Sequence, residues 1–298
     1  MRKFALNIIV FIILVSCSTF TLACAGVESE SNDDVISDVP SEPPLAPPSE
    51  GDVSGDTTTP PEEPDVEVDT PSVPEDSEPE DVTPTPAPVS YAYYLSSTTD
   101  GLNVRSKASS SSTRLGSINK GDMLSLVSKE GSWYKTVYKE KTAYVSADYV
   151  KIVKIAKTSD DIEKVIDVGL KLLGHPYVYG SERYHWGNGK LNTNFEKGKY
   201  DCSALMQYMF YKGSGDLLEV TSKKQYYQGS KVDTLKRGDL MFFTNANGYN
   251  STGINRVRHV GMYLGDNYIL HTASDYAVIE PISQLRWSYF ITAKRIIA

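Results

Sequence analysis

Three residues of this chain have the types and spacing for covalent catalysis: Cys202, His259 and His271. A cysteine attacks a carbonyl carbon as the thiolate, so it needs a nearby base or a site that lowers its pKa. A helix is predicted to start at Cys202, because apolar side chains follow at three- and four-residue spacing in Leu205, Met206, Met209 and Phe210. Free backbone N–H groups and the helix dipole would stabilise a thiolate in its first turn. The alternative is that Cys202 is a small buried core residue.

The two histidines are candidates for the base and for the residue that orients it. His259 opens a strand-like run, and the small Gly261 allows its imidazole to face a helix packed on the sheet. His271 follows twelve residues later across a predicted turn at 265–267, so an antiparallel return would place its ring beside that of His259. Cys202 and His259 can then act as thiolate and imidazolium, and no cofactor is expected.

Two less specific interpretations compete with catalysis. A histidine in a strand is often structural, and one cysteine with two histidines could bind zinc. Zinc is disfavoured because Asp201, Cys202 and Ser203 lack the paired-ligand spacing of usual zinc sites, so no metal is predicted. The other two histidines, His175 and His185, are expected to be loop residues.

Several predicted elements must position these side chains. A packing helix is expected from about Ser159 or Asp160 to Leu173, since one face is apolar: Ile162, Val165, Ile166, Gly169, Leu172 and Leu173. Residues 174–180 end this helix and lead toward Cys202. Two polar loops, 181–200 and 244–258, either shape a substrate cleft or are surface elaboration.

Residues 91–153 predict a small all-β domain. Runs of alternating, β-branched and aromatic residues indicate strands at 102–105, 123–127, 133–138 and 142–145. The order of sequence segments resembles that of bacterial SH3 domains over residues 101–106, 115–122, 131–137 and 143–150. This resemblance implies a small β-barrel that binds cell-wall peptide or packs beside a catalytic domain.

Four ordered motifs in residues 155–298 resemble those of the NlpC family of cell-wall cysteine peptidases. They are Gly174-x-Pro176-Tyr177-x-Tyr179-Gly180, then Asp201-Cys202-Ser203, then residues 237–243, and finally residues 259–265 with His271-Thr272-Ala273. The resemblance implies an α+β, papain-like fold. In it, a helix bearing the cysteine packs on an antiparallel sheet bearing the histidines.

The same resemblance implies roles for the flanking residues. Tyr177 would support the oxyanion through its hydroxyl, while the Cys202 amide is the main donor. Asp201 and Ser203 would hydrogen-bond the backbone or the free amine of the substrate. The alternatives are that Asp201 is a helix cap and that Tyr177 is a core aromatic residue.

Residues 1–25 read as an export signal. Two basic residues precede an apolar run at 4–15, and small residues follow it. An ordinary signal-peptidase site ending at Ala25 competes with lipoprotein signals at Cys17 or Cys24. The chain is therefore expected outside the cell, in the cell wall or envelope, with membrane contact only through such a lipid anchor.

Residues 26–90 predict a disordered, acidic, Pro-rich linker. Residues 40–88 hold 14 of the 16 prolines, and residues 27–90 have 19 Asp and Glu with no Lys or Arg. The formal charge of −8 therefore hides a basic remainder, because residues 91–298 carry 28 basic and 19 acidic side chains. We expect this part to meet anionic cell-wall polymers and no nucleic acid, since no nucleic-acid module is present.

These features together predict an exported, monomeric peptidoglycan hydrolase with four segments: signal peptide 1–25, linker 26–90, bacterial SH3 domain 91–153 and NlpC-type peptidase domain 154–298. The expected reaction is Cys-His-His cleavage of stem peptides, at the bond between γ-D-glutamate and a diamino acid. Two alternatives stay open. One is an N-acetylmuramoyl-L-alanine amidase, and the other is a catalytically idle wall-binding adaptor.

Overall fold

The computed structural model describes residues 89–272 and 275–298. The predicted signal peptide and the predicted linker up to residue 88 lie outside the described residues. Within the described ranges, no helix has the length and apolar character needed to cross a membrane.

The N-terminal region is a small β-barrel. Its strands are β1 (Tyr91–Ser97), β2 (Leu102–Arg105), β3 (Arg114–Ile118), β4 (Met123–Ser125), β5 (Ser128–Glu130), β6 (Trp133–Tyr138), β7 (Lys141–Ser146) and β8 (Val150–Ala156). They form two antiparallel sheets, ordered β4-β1-β8 and β3-β2-β7-β6-β5. Every second residue points inward, as Leu102 and Val104 of β2 and Ala143 and Val145 of β7 show. The predicted small all-β domain is therefore observed.

The C-terminal region combines helices with one sheet. Its elements are α1 (Asp160–Leu172), α2 (Cys202–Gly213), α3 (Ser222–Gln225), β9 (Ser230–Val232), β10 (Leu240–Phe243), a 3-10 helix (Gly253–Arg256), β11 (His259–Gly265), β12 (Tyr268–Thr272), β13 (Ala277–Pro281), α4 (Gln284–Ser288) and β14 (Phe290–Arg295). The strands are antiparallel in the order β13-β12-β11-β10-β14-β9. Helix α2 packs against α1 on one side and against β11 and β12 on the other.

The predicted packing helix is α1, and its apolar face is buried as expected. Gly169 allows α1 and α2 to approach closely, because a Cβ atom there would lie 2.7 Å from Cε of Met209. Gly213 has the same role at the end of α2, where a Cβ atom would lie 2.4 Å from Cα of Val165. Small residues at the two crossing points thus set the distance between the helices.

Helix α2 begins at Cys202 because Asp201 caps it. Asp201 has extended backbone angles, and its Oδ1 accepts a hydrogen bond of 2.8 Å from the Ala204 N–H. Residues 202–210 are all buried. The helix is apolar around most of its circumference because it lies between α1 and the sheet.

The barrel and the C-terminal region share one hydrophobic core. The Tyr138 ring covers Gly174, where a Cβ atom would lie 2.1 Å from Cζ of the ring. The Lys139 N–H, in the turn after β6, donates to the Leu173 carbonyl at 2.9 Å. Gly174 has a φ of +85°, which is also favourable only for glycine.

A buried arginine joins the two regions more directly. Arg237 donates from Nη2 to Tyr94 Oη of the barrel at 2.7 Å and from Nε to Glu163 Oε1 of α1 at 2.7 Å. Burial alone would raise the pKa of Glu163, but Arg237 outweighs it and lowers that pKa. The barrel is therefore packed beside the C-terminal region, which is one of the two expectations for it.

Candidate active site

The structure places the predicted nucleophile and histidines at one point, where the start of α2 meets the start of β11. Cys202 Sγ accepts hydrogen bonds from the backbone N–H groups of Ser203 and Val260. Val260 directly follows His259, so the sulfur lies beside the first residues of β11. His259 Nε2 lies 2.8 Å from His271 Nδ1.

The close approach of the two imidazoles depends on Gly261. Strands β11 and β12 are antiparallel, with Met262 opposite Leu270. A Cβ atom at Gly261 would lie 2.9 Å from Cβ of His271. The absence of a side chain at Gly261 therefore leaves space for the His271 side chain to approach His259. The two rings meet edge-to-face with centroids 5.0 Å apart. The predicted antiparallel return from His259 to His271 is observed.

The electrostatics of Cys202 differ from the prediction for a thiol at a helix start. Burial and the Asp201 charge raise the pKa of the thiol to about 12, although Val260, Arg183 and Ser203 favour the anion. Cys202 is only 8% exposed, so the loss of hydration outweighs the helix N–H groups.

The pKa values of the two histidines are also lowered, which favours neutral rings. Burial, with His271 and Arg286 nearby, lowers the pKa of His259 well below its ordinary value. Burial and Arg286 likewise lower the pKa of His271, against the opposing pull of Glu280. These directions favour a neutral thiol and neutral imidazoles in the resting site, rather than the predicted pair of thiolate and imidazolium.

Asp201 and Ser203 have internal partners. Asp201 Oδ1 accepts from Ser203 Oγ at 3.0 Å as well as from the helix N–H, and Oδ2 lies 2.8 Å from Nη2 of Arg183. Arg183 belongs to the predicted loop 181–200 and also donates to the carbonyls of Ser181 and Val220. Its guanidinium fastens the loop to the start of α2.

The other residues singled out from the sequence lie in the loops between α1 and α2. Tyr177 is partly exposed, and its backbone bridges to Tyr200, two residues before Cys202. His175 Nε2 lies 3.6 Å from Glu140 of the barrel. His185 is buried, and its Nδ1 accepts from the Gly187 N–H at 3.0 Å. Both are loop residues, as predicted, and neither contacts the nucleophile side chain within the described residues.

Two charged residues that the sequence did not reveal complete the site. His271 Nε2 lies 3.0 Å from Glu280 Oε1, and Arg286 Nη2 donates to the same oxygen at 2.9 Å. A carboxylate closing the apolar run at 277–279 is the only sequence signal for Glu280. In residues 89–272 and 275–298, no group of three or more His, Cys, Asp or Glu side chains has an arrangement that could hold a metal ion.

Comparison with known proteins identifies both regions. Residues 174–296 match the model of the NlpC/P60 family, and residues 100–151 match the model of the bacterial SH3 domain. Both resemblances predicted from the motifs, and the α+β fold that they imply, are confirmed.

Among curated proteins, the chain is similar to a gamma-DL-glutamyl hydrolase of Bacillus subtilis (strain 168), with 30% identity over 54% of this chain and 35% of the relative. It is also similar to a gamma-D-glutamyl-L-lysine dipeptidyl-peptidase of that strain, with 31% identity over 53% of this chain and 47% of the relative. The chain thus spans less than half the length of these two relatives. A crystal structure of an NlpC/P60 family protein from Bacillus cereus ATCC 10987 aligns with a TM-score of 0.37 and 21% identity, covering 70% of this chain and 64% of the other.

Proposed function

We propose that this chain, which has an NlpC/P60 domain at residues 174–296 behind a bacterial SH3 domain at residues 100–151, is a peptidoglycan hydrolase. It is a cysteine endopeptidase that cleaves stem peptides. The observation that carries the proposal is the imidazole pair, 2.8 Å apart, beside the only cysteine of the described residues. A thiol, a base and a group that orients the base are the parts that covalent acyl transfer needs.

The reaction begins with the transfer of one proton. Nδ1 of His259 accepts the Cys202 thiol proton while the sulfur attacks the peptide carbonyl carbon. The carbonyl oxygen becomes an oxyanion, and the Cys202 N–H donates to it, since the first N–H groups of a helix have no acceptor within the helix. Tyr177 is the second candidate donor, through its hydroxyl.

The remaining steps return the enzyme to its starting state. His259 gives its proton to the leaving amine, the carbon–nitrogen bond breaks and a thioester to Cys202 remains. A water molecule then attacks the carbonyl carbon of the thioester while His259 takes a proton from that water. The acid product leaves, and the proton returns to the sulfur. A buried, neutral resting pair suits this route because charge appears only when a carbonyl is there to be attacked.

The bond proposed for cleavage joins γ-D-glutamate to a diamino acid. The names of two relatives specify a γ-glutamyl bond, which supports this choice. A γ-linked glutamate keeps its α-carboxylate free close to the scissile carbonyl. Arg256 and Arg258 lie just before His259, and their buried Nε atoms have no hydrogen-bond partner among the described residues. They are the candidates to bind that carboxylate.

The setting proposed for this activity is the cell envelope. Residues 1–25 would direct export. With lipid at Cys17 or Cys24, the linker 26–90 would lie between the membrane and the folded part. After cleavage at Ala25, the linker would precede the folded part in a released protein. The 28 basic against 19 acidic residues of 91–298 favour binding to anionic wall polymers. The protein is proposed to act there as a monomer.

Mass spectrometry of digested muropeptides tests the proposed function. The expected products are a fragment that ends in D-glutamate and a fragment that begins with the diamino acid. Release of intact stem peptides that begin with L-alanine would identify an amidase instead. If wall fragments bind the wild-type protein but no bond is cut, the chain is a wall-binding adaptor.

A further inference from the structure

The row of hydrogen-bonded groups that starts at His259 does not end at His271. His271 Nε2 meets Glu280 Oε1 at 3.0 Å, and Arg286 Nη2 meets the same oxygen at 2.9 Å. His271 is fully buried and the Glu280 side chain is 26% exposed, so the row leads from the site toward the surface. The proposed triad leaves this carboxylate without an assigned function.

The ionisation of Glu280 determines which atom of His271 carries hydrogen. Burial disfavours the charged carboxylate, but His271 and Arg286 outweigh burial and lower the pKa of Glu280 to about 2. At neutral pH this carboxylate can only accept hydrogen bonds. Its contact with His271 is a hydrogen bond only if Nε2 of that ring is the donor.

The tautomer of His271 in turn determines the tautomer of His259. A neutral His271 with hydrogen on Nε2 has a bare lone pair on Nδ1. That nitrogen lies 2.8 Å from His259 Nε2, which must then be the N–H donor. A neutral His259 with hydrogen on Nε2 has its lone pair on Nδ1. This is the ring nitrogen that the proposed function assigns to the thiol proton.

Glu280 is itself held firmly. It lies on β13 opposite Ile269 of β12, two positions before His271. Arg286 comes from α4, where its N–H donates to the capping Ser283 hydroxyl at 3.1 Å. Pro281 rests on the barrel, because a Cβ atom at Gly121 would lie 3.1 Å from Cγ of this proline. Helix α4 therefore contacts the carboxylate, and the barrel contacts the next residue of its strand.

We propose that Glu280 is a positioning residue of the peptidase, which fixes the tautomers of His271 and His259 so that Nδ1 of His259 faces the reaction as a base. The proposal rests on the proposed function, in which His259 takes the thiol proton. Glu280 also stabilises the imidazolium that forms on His259 during attack, acting through His271. The proton stays on the imidazoles, because Arg286 makes the carboxylate a weak proton acceptor.

The charged groups around Glu280 define what a change of pH would do. Arg286 and His271 contact it directly, and Asp122 of the barrel lies near enough for the Glu280 charge to help raise the Asp122 pKa to about 6, mainly through burial. Asp122 is uncharged below that pH. Measurements at pH 7 and above therefore keep the charges around Glu280 constant.

The first test compares two matched substitutions, Glu280→Gln and Glu182→Gln. Glu182 is also hydrogen-bonded, since its Oε2 accepts from Asn192 Nδ2 at 2.7 Å, but it is exposed and belongs to the loop 181–200. E280Q should lower kcat by about 10- to 100-fold with KM within about twofold, and should slow iodoacetamide alkylation of Cys202 at pH 7 by about tenfold. E182Q should change neither. Wild-type kcat and alkylation in E280Q would overturn the proposal.

The second test uses the wild-type protein and needs no variant to fold. The chain has 4 histidines, so ¹⁵N-histidine NMR at pH 7.5 can assign the His271 and His259 rings after comparison with His271→Gln and His259→Gln. Hydrogen on Nε2 of both His259 and His271 is expected. Hydrogen on Nδ1 of His271 would overturn the proposal. Neither NMR nor alkylation uses peptidoglycan. The role of Glu280 and the proposed cleavage of the wall can therefore be refuted independently of each other.

Discussion

The two sides of the active site are built in different ways. On the nucleophile side, one helix cap and one ion pair hold Cys202: Asp201 caps its helix, and Arg183 pairs with Asp201 at 2.8 Å. On the histidine side, residues from three strands and a helix come together in one row of hydrogen bonds. The first side is fixed by local charge and capping, and the second by strand register. The two sides should therefore fail differently when single residues are changed.

The largest effect is expected on the nucleophile side. Cys202→Ala should lower kcat by at least about 10⁴-fold, because no other group can form the thioester. Ser203→Ala is the matched control, since its hydroxyl only bonds Asp201 and Arg183 within the described residues. It should keep kcat within about tenfold. Hydrolysis of a soluble muropeptide, with melting temperatures of both variants, measures this, and retained turnover in C202A would contradict the assignment.

On the histidine side, a graded loss is expected. His259→Ala should lower kcat about as far as C202A, because a nucleophile and its base act as a unit. His271→Gln should cost only about 10- to 100-fold, because an amide can accept from His259 Nε2 and donate to Glu280. Initial rates at pH 7.5 measure the loss of kcat in each variant. Equal losses in the two variants would mean that His271 does more than orient its neighbour.

Arg183→Met should affect stability more than orientation of the base. The Asp201 side chain is only 7% exposed, so removing Arg183 leaves a buried charge unpaired and should lower the free energy of unfolding by about 3–5 kcal/mol. Because Arg183 lowers the thiol pKa, alkylation should also slow. Urea unfolding measures the main effect.

The double variant Arg183→Met with Asp201→Asn checks that electrostatic reason. It removes both charges, and it should recover much of the lost stability because no unpaired charge is left. If R183M alone unfolds like the wild-type protein, the ion pair does not hold the nucleophile side together.

The smallest effect expected is on stability against pH. Burial is the main cause that lowers the pKa of all four histidines below their ordinary 6.5. Through these rings the unfolded chain binds more protons than the folded one below pH 6.5. Asp122, whose pKa is raised to about 6, opposes part of this effect, so stability should fall by about 1–3 kcal/mol between pH 7.5 and 5 because four rings outweigh one carboxyl group. Glu280 adds a further loss from about pH 4.5 toward pH 2.

Urea unfolding at pH 7.5, 6 and 5 measures this dependence. His259→Gln removes one buried imidazole and should flatten the curve, whereas His185→Gln tests a buried ring outside the site. An unchanged free energy of unfolding across these three pH values would contradict the neutral resting state of the rings.

The difference between the two sides also explains what could be predicted. That Cys202, His259 and His271 would lie together was predictable, because a helix start, a strand start and a turn are local signals. Glu280 was not, because it reaches His271 only through the pairing of β12 with β13, with Ile269 opposite Glu280. No periodicity in a single strand encodes which residues of the next strand it will face.

Arg183 and the thiol pKa were missed for a related reason. The predicted loop 181–200 contains Arg183, but its pairing with Asp201 depends on how the loop folds back over α2. The helix start suggested a lowered thiol pKa, whereas the depth of burial, which is a property of the packed molecule, raises it. The alternative assignment of Asp201 as a helix cap is the one that its contacts support directly.

If Cys202 attacks a γ-D-glutamyl carbonyl, an acyl-enzyme must form on its sulfur during turnover. A soluble muropeptide is mixed with the wild-type protein, the reaction is quenched in acid within the first turnover, and the peptide containing Cys202 is analysed by mass spectrometry. The predicted result is a thioester on Cys202 whose added mass equals the stem fragment that ends in D-glutamate. An acyl group on another residue would contradict attack by Cys202, and an acyl group of another mass would place the broken bond elsewhere in the stem.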